Sequence, residues 1–207
     1  MNIYLVRHGE SKGNKVSTHQ TEKTPLSADG LKQAKIVAER LKSIHIDVIY
    51  ASPYKRTSQT ANIISKKLKK PIEYWGELHE IRNPSEISEL YYEHPESVRI
   101  RKLIEDNFAL GNWKYSDEET YNDLKDRASK VLKHLLDKHK DQNVLCISHG
   151  TIIKMIIACA IFGENLTPEI FWNFRRHTWQ ENTGITRLEF TDKYGWGLLT
   201  WNDTTHL

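Results

Sequence analysis

The chain has 207 residues, a formal net charge of +3, 38% hydrophobic and 28% charged residues. That length suits one domain with a real core, and so small a charge gives no reason to expect nucleic acid as a partner. The longest apolar run, Ile152 to Phe162, is broken by Lys154 and falls short of a membrane span. The short apolar run at the N-terminus meets Arg7 and His8 at once and does not read as a signal peptide, so a cytoplasmic protein is expected.

Asn2 to Val6 is β-favouring and reads as a first strand, ending abruptly in Arg7, His8 and Gly9. After the turn at Pro25 to Gly30, with Ser27 as N-cap, the spacing of Leu31, Ala34, Ala38 and Leu41 predicts a helix. Asp47 to Ala51 reads as a second strand that stops at Ser52. Pro53 then suits the first turn of a helix with Thr57, Ala61, Ile64 and Leu68 as its apolar stripe. Lys66, Lys67, Lys69 and Lys70 crowd the end of that helix, where cations complement its dipole. Pro71 to Tyr74 reads as a short strand. The aromatic, charged and weakly periodic segment from Ser85 to Ser116 reads as a partly helical insertion over a site.

Strong periodicity returns at Tyr121, Leu124, Ala128, Val131 and Leu135, a long amphipathic helix. Val144 to Ile147 is a third buried strand, ending in Ser148, His149 and Gly150. Thr151 to Phe162 reads as an apolar helix packed on the sheet, and Thr167-Pro168 caps a short helix through Phe174. Gly184 to Phe190 and Trp196 to Trp201 alternate like strands. Cys146 and Cys159 lie in apolar segments and read as buried thiols rather than a disulfide or metal pair. Trp172, Trp179, Trp196 and Trp201 read as core or pocket-wall aromatics. The organisation expected is one domain over residues 1–207 with a cap at about 85–116.

Two buried strands end alike, in Arg7-His8-Gly9 and Ser148-His149-Gly150, and a third leads to Arg56 on a helix start. If those strands are parallel neighbours, two histidines and two arginines meet at one edge of the sheet, where open α/β sheets bind ligands. Guanidinium forks match phosphate oxygens in pairs, so a phosphorylated small molecule is the expected partner. Adjacent cations disfavour protonation of His8 and keep it nucleophilic. A neutral imidazole can accept a phosphoryl group and later yield it to water. The leaving alkoxide needs a proton, and Glu77 and Glu80 are both candidates for giving it. The remaining histidines have no metal-ligand spacing, so no metal or other cofactor is expected. His149-Gly150-Thr151 also fits the H-x-T pattern of 2H phosphoesterases, but His8-Gly9-Glu10 has no hydroxyl for the second copy.

Arg7-His8-Gly9-Glu10-Ser11, with Asn14 six residues after His8, resembles the signature of the histidine phosphatase superfamily, also called phosphoglycerate-mutase-like. Further blocks resemble that family in its own order: Pro25 to Ala34, Ser52 to Ala61, Ile147 to Gly150, and Asn182 to Thr186. The resemblance implies a three-layer α/β/α sandwich on a mostly parallel sheet, with no metal requirement. It implies His8 as phosphorylated nucleophile, with Arg7, Arg56, His149 and Gly150 at the phosphoryl group and Asn14 as a further contact. It places the proton donor at Glu80.

Departures from the family tilt the expected reaction type. Gly13 stands where mutases usually have Trp, and the chain lacks their longer insertion, so hydrolysis is expected over transfer. Phosphoglycerate mutase chemistry and non-catalytic binding of a phospholigand are the alternatives. Lys12, His19, Lys23, Arg82, Tyr91 and Tyr92 are the residues expected at the entrance.

Overall fold

In the computed structural model, which describes residues 1–207, the strands are β1 (Asn2–Arg7), β2 (Val48–Ala51), β3 (Ile72–Tyr74), β4 (Asn143–Ser148), β5 (Ile185–Thr191) and β6 (Gly195–Asp203). They form one sheet in the order β3-β2-β4-β1-β5-β6. The first four are mutually parallel; β5 pairs antiparallel with β1, and β6 pairs antiparallel with β5 at the sheet edge. The helices are α1 (Lys12–Val16), α2 (Ala28–Leu41), α3 (Lys55–Leu68), α4 (Pro95–Asp106), α5 (Tyr121–His139), α6 (Gly150–Phe162) and α7 (Pro168–His177).

Side chains along each central strand alternate between two cores, as a period of two requires. Ile3, Leu5, Val144 and Cys146 face a core built with α5, α6 and α7. Tyr4, Val6, Leu145 and Ile147 face the opposite core, built with α2 and α3. The result is the three-layer α/β/α sandwich on a mostly parallel sheet that the resemblance implied. Burial on both faces explains why β1 and β4 are continuous apolar runs. It also explains α6, where Ile152, Ile153, Met155, Ile156, Ile157 and Ala158 are all buried.

The crossovers through α2 and α3 carry the chain outward from β1 to β2 and then to β3. The crossover through α5 brings it back to β4, which inserts between β1 and β2. Right-handed connections made in opposite directions put their helices on opposite faces. They also leave a crevice at the carboxyl ends where the direction reverses. There Arg7 pairs with Ser148, and Ala51 pairs with Ile147.

Several local expectations are corrected. Ser27 does cap α2, accepting from Gly30 N at 2.9 Å. Leu31 is 39% exposed, however, and Val37 takes its place on the buried face. Tyr54, not Pro53, leads into α3. Trp179 is neither core nor pocket wall but 75% exposed. Of the two free thiols Cys146 is buried, with its pKa pushed up to about 12 by that burial, whereas Cys159 is half-buried. The five-residue α1, closed at its start by a reciprocal Ser11/Asn14 box, was not foreseen.

Candidate active site

The crevice opens into a cavity of about 1100 Å³. Arg7, His8, Asn14, Arg56, Glu80 and Gly150 all line it. His149 packs edge-on against His8, with ring centroids 5.2 Å apart. The structure therefore brings the sequence-derived candidates together at the carboxyl edge of β1, β2 and β4. Glu77 is not among the lining residues.

His8 is held by its backbone first. Its N–H donates to Ser148 O at 3.0 Å, and its carbonyl accepts from Asn182 Nδ2 at 2.8 Å. Its Nδ1 lies 2.7 Å from the Gly9 carbonyl. A carbonyl can only accept, so Nδ1 carries the proton. Arg56 Nε–H donates to Nε2 at 3.1 Å, which requires the same tautomer. The lone pair of His8 therefore sits on Nε2. Burial, then the Arg56 and Arg7 guanidiniums, hold His8 well below the usual imidazole range. Gly9 has no room for a side chain, because an added Cβ would meet Gly30 O at 2.5 Å. That contact locks the turn after β1 against the start of α2.

His149 is fully buried and its Nε2 lies 2.9 Å from Ser52 Oγ. Burial, then Arg56 and His8, keep it neutral as well. Its Nδ1 has no protein partner, and neither does the buried Nε of Arg7. A buried polar atom left without a partner is costly unless a ligand satisfies it; Arg7 lines the cavity and His149 packs against His8, which does too. Arg7 is anchored by donation from Nη1 to Gln180 O, and Arg56 by donation to Thr21 O at 2.9 Å. Burial lowers both arginines, Arg56 to about 10, which leaves them charged at neutral pH. Gly150 is the first residue of α6, so its N–H has no intrahelical acceptor. Asn14 spends Oδ1 on Ser11, and its Nδ2 makes no hydrogen bond within the protein.

Glu80 lies against the start of α6. Its Oε1 accepts from Ile81 N at 2.9 Å, Thr151 N at 3.1 Å and Ile152 N at 3.2 Å. Its Oε2 accepts from Thr151 N alone, at 3.1 Å, and is the oxygen with room for a proton. A buried clamp holds the loop that carries it. Arg127 of α5 donates to the Glu77 and His79 carbonyls at 2.8 and 2.7 Å. The same guanidinium grips both oxygens of Glu119 at 2.9 and 2.8 Å. Glu119 in turn accepts from Arg82 N at 2.9 Å.

The Ser85 to Ser116 segment contains α4, and it contributes Ser88, Tyr92, Arg101 and Ile104 to the cavity wall. Tyr92 N donates to Ser17 O at 2.9 Å, tying the segment to the loop after α1. Of the residues expected at the entrance, His19, Lys23, Arg82 and Tyr92 line the cavity and Lys12 and Tyr91 do not. An added Cβ at Gly13 would meet Gln20 Cγ at 2.4 Å, so Gln20 fills the space beside that glycine. Sequence reasoning missed the Thr21 and Gln180 carbonyls, whose role is backbone geometry. It also missed Lys154 and Arg175, which line the cavity from helices read as packing elements.

Three buried histidines tie stability to pH. His8 and His149 lie well below the ordinary imidazole value, and burial followed by Arg101 pushes His19 down to about 4. Each folded-state pKa is below the unfolded one, so below about pH 6.5 the unfolded chain binds more protons. Stability is expected to fall as pH drops from about 6.5, by about 1.4 kcal/mol per pH unit for each proton at full uptake. Urea unfolding at pH 7.5, 6 and 5 checks this, and a midpoint constant over that range contradicts it.

The fold and the site together define a class: a doubly covered α/β sheet with a histidine- and arginine-lined cavity at the carboxyl edge of its parallel strands. The chain belongs to the histidine phosphatase superfamily (branch 1), whose profile matches residues 3–204. It is 31% identical to phosphoserine phosphatase 1 of Hydrogenobacter thermophilus over 177 residues, 83% of this chain and 80% of the relative. It is 29% identical to phosphoglycerate mutase-like protein 4 of Arabidopsis thaliana over 213 residues, 99% of this chain and 86% of the relative. A crystal structure of a mutant phosphoserine phosphatase from Entamoeba histolytica in complex with phosphoserine matches with a TM-score of 0.82 at 24% identity, covering 100% of this chain and 98% of that one. That structural likeness establishes the fold expected from the sequence.

Proposed function

We propose that the protein is a metal-independent phosphomonoester hydrolase that works through a phosphohistidine on His8. The observation that carries this reading is the pairing of a neutral His8, its lone pair fixed on Nε2, with two orphaned polar atoms on Arg7 and His149. Membership of a phosphatase superfamily and the phosphoserine phosphatase relative support it.

Nε2 attacks phosphorus in line, forming the P–N bond as the ester P–O bond breaks. Arg56 Nε releases Nε2 and, with Arg7, His149, Asn14 and the Gly150 N–H, neutralises charge on the phosphoryl oxygens. The departing alkoxide takes its proton from Glu80. The resulting carboxylate then takes a proton from water, the hydroxide attacks the phosphohistidine, and phosphate leaves with His8 restored. The segment at about 85–116 acts as the cap that limits which alcohols enter.

The test is phosphate release from p-nitrophenyl phosphate and small phosphometabolites in excess EDTA, with labelled substrate quenched to trap the enzyme intermediate. Expected is EDTA-resistant turnover and label that is stable in alkali and labile in acid, as a phosphohistidine is. Turnover that EDTA abolishes, or interconversion of 2- and 3-phosphoglycerate faster than phosphate release, overturns the reading. Phosphate binding without any turnover does so too.

A further inference from the structure

The loop at residues 17–24 joins α1 to α2 with no helix or strand of its own, yet Arg56 depends on it. Arg56 donates from Nε to His8 Nε2 at 3.1 Å and from Nη1 to Thr21 O at 2.9 Å. A guanidinium is planar and rigid, so the position of that carbonyl sets the angle at which the fork meets the nucleophile. A loop carbonyl is only as well placed as the loop that carries it. The body of the fold holds this loop through Ser11 Oγ, which donates to Gln20 Oε1 at 2.7 Å, and through Lys55 N, which donates to Glu22 O at 2.8 Å.

The cap holds the same loop. His19 N donates to Leu90 O at 2.9 Å, Glu89 N to His19 O at 3.1 Å and Tyr92 N to Ser17 O at 2.9 Å, an antiparallel clip about the Thr18–Tyr91 bridge. Glu89 takes a left-handed φ of 65°, a conformation that a non-glycine residue keeps only where its surroundings fix it. The His19 side chain then crosses to α4. It is 6% exposed, its Nε2 lies 2.7 Å from Ser97 Oγ, and its ring meets that of Tyr92 edge-on at 4.7 Å. Gln20 alone separates His19 from Thr21. Ser97 is fully buried and does not line the cavity, so a change there reaches the chemistry only through what it holds.

We infer that His19 is a positioning residue that joins the cap to the phosphoryl site: seating α4 on His19 fixes the Thr21 carbonyl, and through it the Arg56 guanidinium against His8. The inference rests on the phosphomonoesterase reading and adds a control on its rate. The cap then does more than limit which alcohols enter. Its position reaches the nucleophile even when the ester is too small to fill the cavity, because the link runs through the loop and not through the substrate.

Ser97→Ala breaks the link with the smallest change of shape. With urea unfolding setting the folded fraction, its kcat for p-nitrophenyl phosphate should fall about tenfold, within the roughly 100-fold that an ångström of misplacement can cost. His19→Leu should lose at least as much. His19→Gln, whose amide nitrogen takes the place of Nε2, should recover part of the loss. The double variant His19→Leu/Ser97→Ala should lose no more than His19→Leu alone, because both changes break one contact. In an Arg56→Lys background no fork spans His8 and Thr21, so Ser97→Ala should cost nothing further. Where turnover in that background is too slow to follow, calorimetric affinity for inorganic phosphate reads the same comparison. A kcat for p-nitrophenyl phosphate that Ser97→Ala leaves intact overturns the inference, even if KM for bulky esters rises. An equal loss with and without Arg56 overturns it too. Should no ester be hydrolysed by the wild type, the phosphatase reading fails, and phosphate affinities across the same variants decide the link by the same pattern.

Discussion

His8→Ala is expected to lower phosphate release by at least about 10⁴-fold, the scale on which losing a covalent nucleophile is felt. The loss should appear in kcat with every substrate, because no neighbouring group can replace it. His149 is turned toward Ser52 through Nε2, and its Nδ1 is the protonated face once the Ser52 hydroxyl donates. The substitution should also remove one of the three histidines that make the fold acid-sensitive, so the fall in stability below about pH 6.5 becomes shallower. Steady-state kinetics and urea unfolding at pH 7.5 and 5 read both effects from one protein. Near-native kcat in this variant is incompatible with a phosphohistidine on His8.

Glu80→Gln should separate substrates by leaving group. Alkyl phosphomonoesters, whose alkoxides need a proton, should lose about 10²- to 10⁴-fold in kcat. p-Nitrophenyl phosphate should lose far less, because nitrophenolate departs without protonation. The amide keeps an oxygen for the α6 N–H groups but offers nothing acidic at the position of Oε2. Glu77→Gln should not reproduce this split, since Glu77 lies outside the cavity wall and only its backbone carbonyl serves the loop, as an acceptor for Arg127. Kinetics on both substrate types with both variants settle the assignment. An equal loss on both substrates in Glu80→Gln assigns Glu80 a structural role instead.

Choosing between Glu77 and Glu80 is a good measure of what the sequence carries. Both follow a short strand in a charged stretch, and no periodicity distinguishes them. What brings Glu80 and not Glu77 to the cavity wall is the N-terminus of α6, brought over from more than 70 residues away, and the Arg127–Glu119 clamp that fixes the loop. Arg175 is harder still. In sequence it is one of two adjacent cations at a helix end, where a dipole partner is the ordinary reading. Arg176 is the one that pairs with an acid, and which of the two faces the cavity depends on how α7 packs. Trp179 and Leu31 are exposed for the opposite reason: an apolar residue in a helical or aromatic stretch reads as buried, but the stretch itself does not say which face is wet.

The sequence by itself determined the family and the main strands and helices. Apolar runs two-sidedly buried in β1 and β4, both ending in His-Gly, announced parallel strands with reactive ends. Residue spacing gave α2, α3 and α5, because helical burial has a period that local sequence must obey. Tertiary structure alone decided adjacency. A strand buried on both faces is apolar throughout and carries no mark of its neighbour, so the insertion of β4 between β1 and β2 is written only in long-range packing. That insertion sets His8 beside His149. Backbone groups such as Thr21 O and Gln180 O anchor the arginines around them, and any residue type could supply those carbonyls.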